Sequence, residues 1–144
     1  MECWIYNGKC LEEPPEGYFG FIYLITNSLD GKIYVGKKQF THRKTTRVSK
    51  RTRKTTGTRK RKNVTNVDSG WKDYYGSCME LKAALSVIDK KHFKREVLMF
   101  CHSKAELTYY EIQYQVDMKV MFVPSYNGWI GGKVFKSTLL KTVK

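Results

Sequence analysis

A carboxylate on the inward side of an amphipathic helix is costly unless a cation meets it, and Glu111 stands in such a place. Ser103 and Glu106 read as a capping box that opens a helix, with Leu107, Tyr110, Tyr114 and Met118 recurring as its inward stripe. At about 100° per residue Glu111 falls about 40° from Leu107, beside Tyr110 and Tyr114. It is expected either to bind a cation, to pair with an arginine such as Arg95, or to sit at the solvent edge of the stripe. Two tyrosines, Tyr23 and Tyr34, lie in apolar runs, where a hydroxyl either satisfies a sheet contact or takes part in proton transfer. The third chemical feature is charge. A formal net charge of +14 implies a polyanionic partner, nucleic acid before a membrane surface.

That charge is concentrated. No acidic residue stands between Asp30 and Asp68, and Arg43 to Lys62 holds eleven Lys or Arg among threonines. A segment that cannot bury a face is expected to be a flexible arm, ordered where its charges meet phosphates. Arg47, Lys50, Arg51, Arg53, Lys54, Arg59, Lys60, Arg61 and Lys62 are the expected phosphate-binding residues, joined by Lys37 and Lys38 as backbone contacts. A solvated loop or a localisation signal is the plainer alternative.

The elements that position these residues begin with a hairpin. Tyr18 to Thr26 and Lys32 to Gly36 are rich in β-branched and aromatic residues and flank the turn-forming Asn27-Ser-Leu-Asp-Gly31. Phe21, Tyr23 and Ile25 share one face and Ile22 and Leu24 the other, so helices should cover the sheet on both sides. Ser77 and Glu80 suggest a second capping box, followed by a helix to about Lys90. His92 to Cys101 reads as a strand with Phe93, Val97 and Met99 on one side and Leu98 and Phe100 on the other. A short strand is expected at Val120 to Val123, ended by Pro124. The fold class is therefore α/β (α+β): a small, mainly antiparallel three-stranded sheet flanked by helices. The expected organisation is an N-terminal extension at 1–17, a folded domain at 18–130 with a basic insertion at 44–70, and a basic tail at 131–144.

Cys3, Cys10, Cys78 and Cys101 lack the rhythm of a zinc site, and free thiols in a reducing compartment are expected. With no membrane-spanning run and no signal-peptide pattern, the chain reads as intracellular.

Phe21-Ile22-Tyr23 and Tyr34-Val35-Gly36 resemble the paired signature of the GIY-YIG nucleases, with Phe21 in place of the first Gly and Gly20 before it. Phe40 and Arg43 resemble the aromatic-x-x-Arg that opens the family's first helix, and Tyr126-Asn127-Gly128 its closing Asn motif. The resemblance implies that 18–130 is a catalytic domain, in a host cytoplasm if phage-encoded, that Glu111 is the lone metal-binding Glu, that Arg43 clamps the scissile phosphate and that Asn127 braces the site. It departs one turn beyond Arg43, where Arg47 replaces the family's His or Tyr; His42, Tyr74 and Tyr75 are the alternatives for that role.

Such a site would hydrolyse phosphodiesters of double-stranded DNA with Mg²⁺, or another divalent cation such as Mn²⁺, held by Glu111. Tyr23 is the expected general base, given cationic neighbours such as Lys37, Lys38 or Arg43, and Tyr34 would hold the water. One active site cuts one strand, so a double-strand break needs a homodimer or two events. Homing, restriction and phage genome-degrading roles are not separable here. The alternative is a binding module that keeps the fold without the chemistry.

Overall fold

A computed structural model describes residues 2–57, 59 and 61–140. Its strands are β1 (Trp4–Tyr6), β2 (Lys9–Cys10), β3 (Gly20–Asn27), β4 (Ile33–Gln39), β5 (Thr41–Arg47), β6 (Lys62–Asp68) and β7 (Phe93–Cys101). The helices are α1 (Lys50–Thr56), α2 (Met79–Val87), α3 (Lys104–Asp117) and α4 (Lys136–Leu140). The expected mixed α/β class holds, but the main sheet has five strands in the order β2-β1-β7-β3-β4 rather than three. β1 pairs parallel to β7, and the other pairings are antiparallel.

The two added strands come from the N-terminal residues. Asn7 and Gly8 both adopt positive φ (51° and 79°), the backbone of a tight hairpin turn. That turn brings Cys3 and Cys10 to a Cα separation of 5.7 Å, where they form a disulfide rather than the expected free thiols; Cys78 and Cys101 are free. Trp4 is buried, donates Nε1–H to the Trp71 carbonyl (2.6 Å), and packs on Phe21 and Tyr23.

The sheet is covered on both sides, as its two apolar faces require. Phe21, Tyr23, Ile25, Phe93 and Val97 pack with Trp71, Tyr75 and Leu81 of the α2 layer; Ile22, Val35 and Cys101 pack with Leu107 of α3. A bulge in β7 alters the expected facing. Ile22 opposes Met99 but Tyr23 opposes Val97, so the extra residue sends Phe100 to the face of Phe93 and Val97, and Met99 to the other.

Local details differ where backbone bonds override sequence signals. Cys78, not Ser77, caps α2, without a side-chain bond to the helix: Cys78 Sγ donates to the Tyr126 carbonyl (3.1 Å), and Ser77 bonds Tyr34 instead. The helix stops at Val87, three residues short of the expected end. Ser103 caps α3 as expected, accepting from the Glu106 amide. Val120 to Val123 is a string of turns, not a strand: Lys119 takes a φ of 54°, and the Phe122 and Val123 amides both donate back to its carbonyl.

The basic insertion is the largest departure. In place of a flexible arm, β5 and β6 form a separate two-stranded antiparallel ribbon, with α1 at its far end. Thr41, Thr45, Thr46, Val64, Thr65 and Val67 supply β-branched side chains, and the ladder pairs the inward backbone groups while the outward ones face solvent, so no face need be buried. Lys60 lies outside the described residues.

Candidate functional site

β4 is an edge strand, so alternate residues present unpaired N–H and C=O groups outward. Three side chains meet that edge. Asn127 accepts from the Val35 amide (3.0 Å) and donates to the Val35 carbonyl (2.9 Å), bonding like a further strand. Gln115 of α3 donates to the same carbonyl (3.0 Å). Glu111, one turn earlier on α3, accepts from the Lys37 amide. The Tyr126 amide donates to the Ile33 carbonyl, which closes the lower part of the edge.

Around this edge lies a cavity of about 570 Å³, lined by Tyr34, Lys37, Ser77, Glu111, Asn127 and Trp129 among others. Glu111 is half-buried, and burial raises its pKa; the neighbouring Lys37 pulls it down less strongly. The Lys37 ammonium stands 3.9 Å from the Glu111 carboxylate and donates to Thr108 Oγ1 at 3.0 Å. Arg95, the expected alternative partner, lies elsewhere. It is buried over the rings of Trp4 and Tyr75 and donates to the carbonyls of Tyr74 and Glu2.

The two signature tyrosines differ in access. Tyr34 lines the cavity and hydrogen-bonds with Ser77, and burial raises its phenol pKa. Tyr23 is enclosed and hydrogen-bonded with Tyr74, and burial holds its phenol well above the usual value. Its Oη lies where a Gly36 side chain would be, 2.5 Å from the Cβ that any other residue would carry. Tyr74, Tyr34 and Gly36 surround this oxygen, rather than the Lys37, Lys38 and Arg43 that a phenolate would need. Lys38 instead lies 4.1 Å over the Tyr74 ring, its pKa lowered by burial.

A second, smaller cavity shares Lys37 and continues past Lys38, His42, Tyr74 and Lys104. Of the three residues considered for the missing His or Tyr, His42 and Tyr74 therefore reach the groove. Tyr75 packs in the core beneath Arg95. Arg43 does not open a helix. It is exposed on β5 opposite Asn66 and lines neither cavity, because the chain after Phe40 continues as strand. Arg47, Lys50, Arg51, Arg53, Lys54, Arg59, Arg61 and Lys62 all belong to the ribbon and its tip.

Gln115, Thr108 and Trp129 join the site without having been singled out from sequence, and Ser77, expected only as a helix cap, joins it through Tyr34. Gln115 had a usable signal, since it lies one helical turn beyond Glu111. Among the described residues no three His, Cys, Asp or Glu side chains gather as a metal cluster. A lone half-buried carboxylate beside an open cavity still suits Mg²⁺, which keeps several waters and completes its shell with substrate phosphate.

The family model described as "Putative endonuclease segE, GIY-YIG domain" matches residues 4–130. No curated protein and no solved structure matches the chain.

Proposed function

Because the chain belongs to the GIY-YIG nuclease family, we propose that it is an endonuclease that hydrolyses phosphodiesters of double-stranded DNA with a divalent cation. The observation that carries this reading is Glu111, held at the open edge of β4 and facing a cavity with Tyr34, Lys37 and Asn127. A carboxylate kept half-buried against its own desolvation cost, with a loosely placed ammonium partner, suits a ligand better than a structural ion pair.

Glu111 would hold Mg²⁺ or Mn²⁺, and the bound cation would polarise the phosphate and stabilise the leaving oxygen. Lys37 neutralises charge on the non-bridging oxygens, a role the resemblance gave to Arg43. Tyr34 keeps its proton and orients the incoming water through Oη, with Ser77 fixing the ring. Tyr23 acts as a positioning residue: its Oη holds Tyr74 and fills the space over Gly36, where it does not touch substrate. Asn127 and Gln115 hold the Val35 backbone, so that Tyr34 and Lys37 on either side of it keep their spacing.

The competing reading, a binding module without chemistry, rests on the charge alone. Supercoiled plasmid incubated with the protein and Mg²⁺ should convert to nicked or linear forms, and chelator should stop it. Intact plasmid under both conditions, with DNA still bound, would leave the binding module.

A further inference from the structure

We propose that the β5–β6 ribbon enters the DNA major groove and reads bases there through Arg43, Thr45, Val64 and Asn66. All seven residues of each strand are exposed, so nothing in the domain covers either face of the ribbon. The register places Arg43 opposite Asn66 and Thr45 opposite Val64, which puts these four side chains together on one face. Their chemistry is that of base readout. An arginine fork suits guanine O6 and N7, an asparagine amide suits adenine N6 and N7, and Thr and Val suit the thymine methyl.

Shape and charge select the groove. The major groove of unbent B-DNA, about 12 Å wide, admits a two-stranded ribbon, whereas the minor groove, about 6 Å wide, takes one only when the duplex is bent or widened. At the tip, Lys50, Arg53, Lys54, Arg59 and Arg61 surround one cavity, with no carboxylate among them. That end is suited to phosphates flanking the groove, which give affinity without sequence information. The opposite ribbon face also carries polar groups, with Lys44 opposite Thr65 and Thr46 opposite Asn63, but its root residue His42 lines the groove shared with Lys37 and Tyr74, which commits that face to the cleft side.

The root is fixed. Phe40 is buried edge-on against Trp71, the Ser69 amide donates to the Phe40 carbonyl (3.0 Å), and Ser69 Oγ donates to the Gln39 carbonyl (2.6 Å). Base readout at the ribbon would thus set the distance from the recognised bases to the cleft.

This inference shares with the proposed function only a duplex DNA substrate, so it is tested by binding in chelator, where cleavage plays no part. Duplexes selected by the wild-type protein from a randomised pool should share a short preferred sequence containing guanine and adenine. Arg43→Ala and Asn66→Ala should each flatten the preference at one position and weaken binding to the preferred duplex by about 5- to 100-fold. On unrelated duplexes Asn66→Ala should change binding less than about 2-fold. Lys44→Ala should weaken all duplexes alike, and methylation of guanine N7 in the preferred site should block binding. A selected pool without base preference, or a preference that survives both Ala variants, overturns the inference. Metal-dependent cleavage with a flat preference would overturn it and leave the nuclease reading standing. A sharp preference without cleavage would do the reverse.

Discussion

One strand leads into two regions built on opposite terms. Along β4 the outward backbone is bonded by Asn127, Gln115 and Glu111, and Tyr34 and Lys37 are held between enclosed neighbours. Past Phe40 the chain becomes a ribbon whose strands bury no side chain. The proposed chemistry of the cleft needs geometry, because hydrolysis depends on groups fixed to fractions of an ångström. The ribbon needs charge and reach, which cost little in exposed β structure. Packing is concentrated around the cleft, and the ribbon's cations are left outside it.

The sharpest way to break this contrast is Glu111→Gln. Cleavage should fall by about 10³-fold or more, while DNA binding in chelator persists. Burial raises the folded-state pKa of Glu111, so its ionised form opposes folding above the ordinary carboxylate range. The Gln variant should therefore melt at or above wild type at neutral pH. A variant that unfolds readily, or one that still cuts, removes Glu111 as the cation's ligand.

The ribbon should respond in the opposite sense. Replacing Lys50, Arg51, Arg53 and Lys54 with Ser should weaken binding by about 10- to 100-fold on any duplex at low salt. The slope of log affinity against log salt should shrink by about three to four. The melting temperature should change little, since Lys50, Arg51 and Lys54 are exposed and only Arg53 is half-buried, and exposed substitutions usually fall within about 0.5 kcal/mol. Loss confined to one sequence would make the tip a reader.

Asn127→Leu sharpens the comparison from the cleft side. It leaves the Val35 amide without its partner and should cost about 1–3 kcal/mol, seen as a lower melting temperature together with slower cleavage. Unchanged stability would mean that water replaces the side chain along the edge.

The smallest expected effect is a displaced pH profile. Glu111 must be ionised to hold a cation, so activity should fall as pH drops through its raised pKa. Lys37 lowers that pKa, so Lys37→Met should move the acid limb to higher pH in addition to slowing the reaction. Lys44→Met on the ribbon should leave the limb in place. An acid limb indifferent to Lys37 would separate it from Glu111.

Much of the cleft was legible because periodicity carries facing. The split of Phe21, Tyr23 and Ile25 from Ile22 and Leu24 is the split between the two cores. Glu111 reaches the site on the helix its spacing predicted. What stayed hidden depends on position within the sheet. Lys37 reaches α3 only because β4 is an edge, and the β7 bulge has no marker in Val97-Leu98-Met99. Asn7-Gly8 is a readable hairpin signal inside the stretch 1–17 that was expected to be only an extension. The ribbon was missed because a strand was expected to bury a face, whereas a paired ladder of Thr and Val does not need one.

The hydrogen bond from the Ser69 amide to the Phe40 carbonyl means that residues 41–68 leave and rejoin the domain at one point. A segment with adjoining ends is a cassette. It can lengthen, shorten or be exchanged for a reader of another sequence while Phe40, Trp71 and the sheet stay as they are. The same catalytic frame could then acquire new targets through change confined to one insertion, by natural drift or by deliberate grafting.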